Sequence, residues 1–141
     1  MADTARTEIY DVDINKFYET ITDYETYPEF VDGVSEIEVL EKDDNGARIK
    51  YHINIIKEFT YILKMTHTAP NKVSWEFESG DLFKSNFGSW ELVDLGDGQI
   101  EVTYALDVNF KMMVPKMITN KLVKNNLPTM MQSVFERAKR K

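Results

Sequence analysis

The sequence predicts one α+β domain, a curved seven-stranded antiparallel sheet wrapped around a long C-terminal helix, with two short helices between strands 1 and 2. Three observations carry this. Pro115 to Lys141 is the only stretch with an apolar stripe at helical spacing long enough to plug a large sheet. From Val34 to Phe110 the apolar period is two. Finally, seven strands at about 4.8 Å make a sheet roughly 29 Å across, whereas a helix with its side chains is only about 10–12 Å wide. One helix cannot cover that sheet flat, so the sheet must curl through twist and bulges.

Thr7 to Val12 reads as a short first strand. Asp13 then caps a short helix that begins at Ile14 and carries Phe17, Tyr18 and Ile21 inward. In TDYETYPEFVDGV (Thr22–Val34), Pro28 biases Tyr27 away from helix and Gly33 permits a turn, with a second brief helix around Tyr27–Val31.

Interruptions at Asp43–Gly46, Pro70–Asn71, Ser79–Asp81 and Gly96–Gly98 punctuate the strand region as an antiparallel meander. Its last strand puts Ile100, Val102, Tyr104, Leu106, Val108 and Phe110 on one face, opposite Glu101, Thr103, Ala105, Asp107 and Asn109. The same alternation turns Val73, Trp75 and Phe77 inward, and makes Asn86 an inward polar group beside Gly88, Trp90 and Leu92. Ile49, Tyr51, Ile53 and Ile55 share a face, as do Phe59, Tyr61, Leu63 and Met65. A two-residue loop at Lys57–Glu58 would oppose Tyr51 to Lys64; a three-residue loop or a bulge restores the match.

In the last segment Leu127, Met131, Val134 and Ala138 form the stripe, extended backwards by Met117, Ile118 and Leu122. Pro115 suits a first helical turn, whereas Pro128 predicts a kink or break near Asn125–Pro128. The methionines 112, 113, 117, 130 and 131 read as core packing whose flexible thioethers also suit a pocket.

Composition narrows the function. A chain of 141 residues with 43% hydrophobic content makes a single domain spanning 1–141, and the absence of cysteine excludes disulfides and thiolate chemistry. The polar N-terminus has no signal-peptide pattern, so the expected address is the cytoplasm. Residues 1–110 carry a net −14 and residues 111–141 a net +7. An acidic body argues against direct nucleic-acid binding. The basic tail is expected either to be a solvated helix face or to make peripheral contact with an anionic membrane or partner.

Catalytic constellations are scarce. His52 falls on an outward strand face and His67 ends an inward one, neither at metal-ligand spacing, so no metal and no cofactor is expected. His67 and Tyr51 are the candidates for moving a proton, with Tyr61, Tyr104 and Asn86 as hydrogen-bonding groups. A lone inward histidine is also a common structural group. Periodicity is equally consistent with a solid core and with an open chamber.

The element order, with DYETYPEFVDGV (Asp23–Val34), SGDLFKSNFGSWEL (Ser79–Leu92) and MVPKMITNKLV (Met113–Val123), resembles the polyketide cyclase/dehydrase and coenzyme-Q-binding branch of the START-like (SRPBCC) superfamily, which has the helix-grip fold of the birch-pollen-allergen type. The resemblance covers nearly the whole chain. It implies a cavity between sheet and C-terminal helix that receives a lipid, quinone or polyketide-like molecule. That cavity would be lined by Tyr51, Ile53, Tyr61, Leu63, Met65, Trp75, Phe77, Asn86, Trp90, Tyr104, Leu106, Met117, Met131 and Val134, under a lid of Tyr27, Pro28, Phe30 and Phe83. Relatives of this type include ubiquinone binders, aromatase/cyclases and a ribosome-association branch. The expected roles are therefore carrier, chaperone or sensor of an apolar ligand, with a cyclase/dehydratase as the alternative and a protein- or ribosome-interaction module as a third. The ubiquinone and ribosome branches have a Gly-Pro-Phe-type segment, where this chain has Gly80-Asp81-Leu82-Phe83.

Overall fold

The computed structural model describes residues 2–140, apart from the side chains of residues 2, 3, 123 and 125–128. The chain runs β1 (Ala2–Asp11), α1 (Ile14–Thr22), a 3₁₀ turn (Tyr24–Thr26), α2 (Tyr27–Phe30), β2 (Val34–Lys42), β3 (Gly46–Ile55), β4 (Lys57–Thr68), β5 (Lys72–Gly80), β6 (Phe83–Gly96), β7 (Gln99–Phe110), α3 (Lys116–Asn120), a π-helical turn (Lys121–Asn126) and α4 (Leu127–Lys139). Among the described residues, seven strands form one antiparallel sheet in the order β1-β7-β6-β5-β4-β3-β2. This is the predicted helix-grip architecture. The two edge strands, β1 and β2, are joined in sequence by α1, the 3₁₀ turn and α2.

Local chemistry sets the first elements. The Asp13 carboxylate accepts from the Asn15 and Lys16 N–H groups and so opens α1 as expected. That helix buries Ile14, Phe17, Thr20 and Ile21, and the Thr20 hydroxyl is satisfied by donating to the Lys16 carbonyl at 2.8 Å. β1 starts earlier than the sequence pattern indicates, because β7 offers it a full-length partner from Gln99 to Val108. The pre-proline bias at Tyr27 is overridden: Tyr27 is helical, with φ −51° and ψ −41°. Its buried ring and the hydroxyl bond to the Ile21 carbonyl hold it there, while Pro28 sits in the first turn of α2, where no N–H is missed.

The β3–β4 register is the one side-chain matching requires, with Ile49 opposite Leu63, Tyr51 opposite Tyr61 and Ile53 opposite Phe59. The loop is not at Lys57–Glu58. The chain reverses at Ile56 alone, whose φ of 67° lets Ile55 pair directly with Lys57.

The C-terminal segment is interrupted where Pro128 demands it. The backbone widens into the π turn before α4 begins, and this extra residue changes the helix phase. Ile118 before the turn and Leu122 within it therefore face inward, whereas Met117 is exposed. After it, Met131, Val134 and Ala138 are buried. The side chains of Leu127 and Pro128 lie outside the described residues.

The core has two centres. In one, Phe17, Ile21 and Tyr24 meet Ile49, Val73, Trp90 and Val102 of the sheet and Met131, Val134 and Ala138 of α4. In the other, Val114 and Ile118 pack on Ile53, Ile55, Phe59, Leu82, Phe83 and Val108. Val34, Tyr61, Phe77 and Leu106 border both. The cavity opens between them.

Candidate functional site

The concave face of the sheet and α4 enclose a hollow with a core of about 130 Å³, or about 980 Å³ counted out through its open mouth. The strands present their inward sets by simple alternation: Tyr51, Ile53 and Ile55 from β3, Tyr61, Leu63 and Met65 from β4, and Trp75 from β5. Phe83, Asn86 and Trp90 come from β6, and Tyr104, Leu106, Val108 and Phe110 from β7. Leu122, Met130 and Val134 close the helical side, and Tyr27 with Val31–Val34 forms the rim between α2 and β2.

Trp75 organises the floor. Its Nε1–H donates to the Asn86 Oδ1 at 3.0 Å, so the buried amide that alternation turned inward is met by an indole. Trp75 and Trp90 both pack on Tyr104, with ring centroids 5.6 and 4.4 Å away. A Cβ at position 88 would lie 2.6 Å from the Trp75 ring and 2.3 Å from the Ala105 carbonyl oxygen, so only glycine lets the indole lie against β6.

Tyr51 and Tyr61 stack in parallel at 5.0 Å across β3 and β4. Burial pushes the phenols of Tyr27, Tyr51, Tyr61 and Tyr104 well above their ordinary pKa, so all four are neutral at physiological pH. Tyr27 spends its hydroxyl on the Ile21 carbonyl. Among the described residues, the Tyr51, Tyr61 and Tyr104 hydroxyls make no hydrogen bond. The hollow is thus an apolar chamber with three phenols able to donate or accept, a single amide and, at its rim, Asp32.

Most of the expected cavity residues meet here: Tyr51, Ile53, Tyr61, Leu63, Met65, Trp75, Asn86, Trp90, Tyr104, Leu106 and Val134, with Tyr27 and Phe83 of the expected lid. Others do not. Phe77 and Met131 pack in the core without reaching the wall, and Met117 is exposed because of the phase change at the π turn. Met112 and Met113, read as core, are exposed as well. Pro28 faces solvent, and Phe30 lies under Arg137. Phe83 is itself buried in the wall, beside fully buried Leu82, whose carbonyl accepts from Lys111 N–H at 3.1 Å. Ile55, Val108 and Phe110 follow from the strand alternation, Leu122 from the helical stripe and Met130 from the methionine cluster, whereas nothing in the sequence pattern assigns Val31–Val34 to the wall itself.

Neither histidine enters the chamber. His67 Nε2 lies 2.8 Å from the Tyr24 hydroxyl, and the ring stacks on Tyr24 outside the cavity wall. His52 stays on the outer face, where strand pairing brings it to 2.6 Å from Glu38 and 3.6 Å from Glu36. The ligand atoms of these three lie within 4.8 Å of one another, a grouping that sequence spacing did not show. His52 Nε2 is at hydrogen-bond distance from Glu38 there, with Lys50 Nζ also 3.8 Å from Glu38.

Solved structures share this fold. A START superfamily protein from Mycobacterium smegmatis superposes with a TM-score of 0.82 at 18% identity over 98% of this chain and 97% of that one. The Zhui aromatase/cyclase from Streptomyces sp. R1128 gives 0.86 at 12% identity, covering 99% and 94%. A STAR-related lipid transfer protein fragment from Xanthomonas axonopodis gives 0.75 at 11% identity, covering 97% and 85%. No curated protein sequence matches the chain. The family profile described as polyketide cyclase/dehydrase and lipid transport matches residues 11–135, nearly every element that builds the chamber, and the chain belongs to that family.

Proposed function

We propose that the chain is a carrier or sensor that binds an apolar, ring-bearing small molecule with one or two oxygen functions inside the chamber. The observation that carries this reading is the make-up of the wall: among the described residues it is aliphatic and aromatic side chains, interrupted in its interior by Asn86 and by neutral phenols. An apolar ligand gains by leaving water, and a carbonyl or hydroxyl on it can pair with Tyr51, Tyr61 or Tyr104. Size supports a ring. An apolar cavity of about 150 Å³ accepts benzene, so a core of about 130 Å³ takes one ring system while the rest extends to the mouth.

The carrier reading is favoured over a cyclase/dehydratase by the position of His67. With its Nε2 engaged by Tyr24 and its ring outside the wall, His67 does not serve the chamber as a base, and among the described residues the one carboxylate of the lining, Asp32, stands at the rim rather than in the interior. Tyr51, with its raised pKa, is a hydrogen-bond donor rather than a base.

Both tryptophans, Trp75 and Trp90, line the cavity and report its occupancy. Titration with 1,4-naphthoquinone is expected to quench Trp75 and Trp90 fluorescence saturably at one equivalent, and native mass spectrometry to show a one-to-one adduct. A linear, collisional quench with naphthoquinone, joined to absence of any adduct with fatty acids, overturns the reading.

A further inference from the structure

We propose that the surface carrying Met112, Met113 and Met117 with Lys111, Lys116 and Lys121 docks on an anionic lipid bilayer, at the end of the molecule where the cavity wall is formed by Phe110 and Leu122. The inference rests on the reading of the cavity as a site for an apolar ligand. It deepens that reading by naming where the ligand is exchanged.

Three observations lead there. Met112, Met113 and Met117 are 92%, 84% and 65% exposed, an unusual fate for apolar side chains so close in sequence. Their neighbours Val114 and Ile118 are anchored in the core cluster with Ile55 and Phe59, so this is an amphipathic turn held firmly, with its second apolar side turned to solvent. Ile56, 66% exposed at the β3–β4 reversal, stands between Ile55 of the same cluster and Lys57.

The second observation is charge. From Val108 to Phe135 the sequence contains no Asp or Glu and four lysines, in a chain whose net charge is −7. An anionic surface attracts this segment and repels the acidic body, which orients the molecule with the methionines forward. Flexible methionines among diffuse lysines fit a fluid bilayer, which asks for apolar area and positive charge but no shape. Protein hot spots are instead built on Trp, Tyr and Arg, none of which stands in this patch. A second copy would bring the same lysines face to face across a two-fold axis.

The third is continuity. Phe110 and Leu122 line the hollow and bracket the exposed methionines in sequence, so a bilayer seated here lies against the end of the chamber.

Cosedimentation with phosphatidylcholine vesicles, and with phosphatidylcholine–phosphatidylglycerol vesicles, tests the proposal on the full chain. Binding is expected to the mixed vesicles only and to fall with added salt. Each of Lys111→Gln, Lys116→Gln and Lys121→Gln is expected to lower partitioning roughly five-fold, and Met113→Ser with Met117→Ser to abolish it. Equal binding to neutral vesicles, or unchanged binding by these variants, overturns the proposal. So does a wild-type dimer in size-exclusion chromatography that the methionine variants dissolve while no vesicle binding is seen. Naphthoquinone titration of the same variants without vesicles separates the two readings. Retained quenching with lost vesicle binding supports docking, and retained quenching in a wild type that binds no vesicles defeats docking while leaving the cavity reading intact.

Discussion

The Tyr24 hydroxyl and His67 Nε2 stand 2.8 Å apart, with their rings stacked at 5.9 Å between centroids, and join the 3₁₀ turn ahead of α2 to the end of β4. Burial lowers the His67 pKa, and Lys42 pushes the same way, against a backbone hydrogen bond at Asp43 and the charges of Asp43 and Asp44. In the neutral ring the Nε2 lone pair accepts the Tyr24 proton. Because the folded pKa lies below the unfolded value near 6.5, the protein binds this proton less readily when folded. Stability from the neutral ring is therefore complete above that pH and declines as pH falls through the folded pKa. Urea unfolding of the protein and of His67→Gln at about pH 8 and about pH 5 is expected to show a smaller acid loss in the variant. A larger loss in the variant would mean that His67 is charged easily in the fold.

The same variant separates a structural from a catalytic histidine. His67→Gln is expected to leave 1,4-naphthoquinone quenching within about two-fold of wild type, since the ring does not line the chamber. A loss of binding far beyond that, with unfolding unchanged, would place the ring in the binding machinery.

Asn86 and Trp75 make the only buried side-chain pair described within the chamber wall. Asn86→Leu keeps the volume but strands the indole N–H, which costs roughly 1–3 kcal/mol. Asn86→Asp returns an acceptor and is expected to recover part of that loss at neutral pH. Denaturant midpoints check both; equal loss for Leu and Asp would show that packing, not the hydrogen bond, decides.

Gly88→Ala tests the seat of Trp75. The added methyl meets backbone at Ala105 and a ring fixed by Asn86, and neither is the free end of a flexible chain. Overpacking of this kind costs about 1–3 kcal/mol, and the near-ultraviolet circular dichroism of the indole is expected to change with it. An unshifted unfolding midpoint would mean that β6 slides to make room.

The strand half of this site was readable because alternation is insensitive to context: once Trp75, Trp90 and Tyr104 face inward, so do Asn86, Leu106 and Val108. The helical half was not. A period of 3.6 runs on from Leu122 towards Met131 only if no residue is added, and the π turn adds one, so the stripe points Met117 inward where it is exposed, and it is Met130 rather than Met131 that reaches the wall. Tyr27 shows the other limit. Its local dipeptide disfavours helix, and a tertiary bond to the Ile21 carbonyl, invisible in the dipeptide, reverses that preference. His67 faced inward by alternation, yet Tyr24 reached it first.

Arg137 ties the rim to α4. Its guanidinium lies 2.6 Å from the Glu29 carboxylate and 5.2 Å over the Phe30 ring, so both contacts fall on α2, whose Tyr27 forms the cavity rim. Both partners are partly exposed, so screening leaves the pair worth about 1 kcal/mol or less, and Arg137→Ala is expected to shift global unfolding only slightly. Locally the effect should be larger. The α2 turn is a single helical turn closed by the Val31 N–H to Tyr27 carbonyl bond, and Arg137 holds its Glu29 and Phe30 side. Hydrogen exchange at Val31 and release of bound naphthoquinone are both expected to speed up several-fold in Arg137→Ala. Arg137→Lys, which keeps the charge without the planar fork, is expected to fall between the two. If α2 exchange quickens while release does not, the ligand leaves by the Met113–Met117 end rather than under α2, and the rim is a wall rather than a gate.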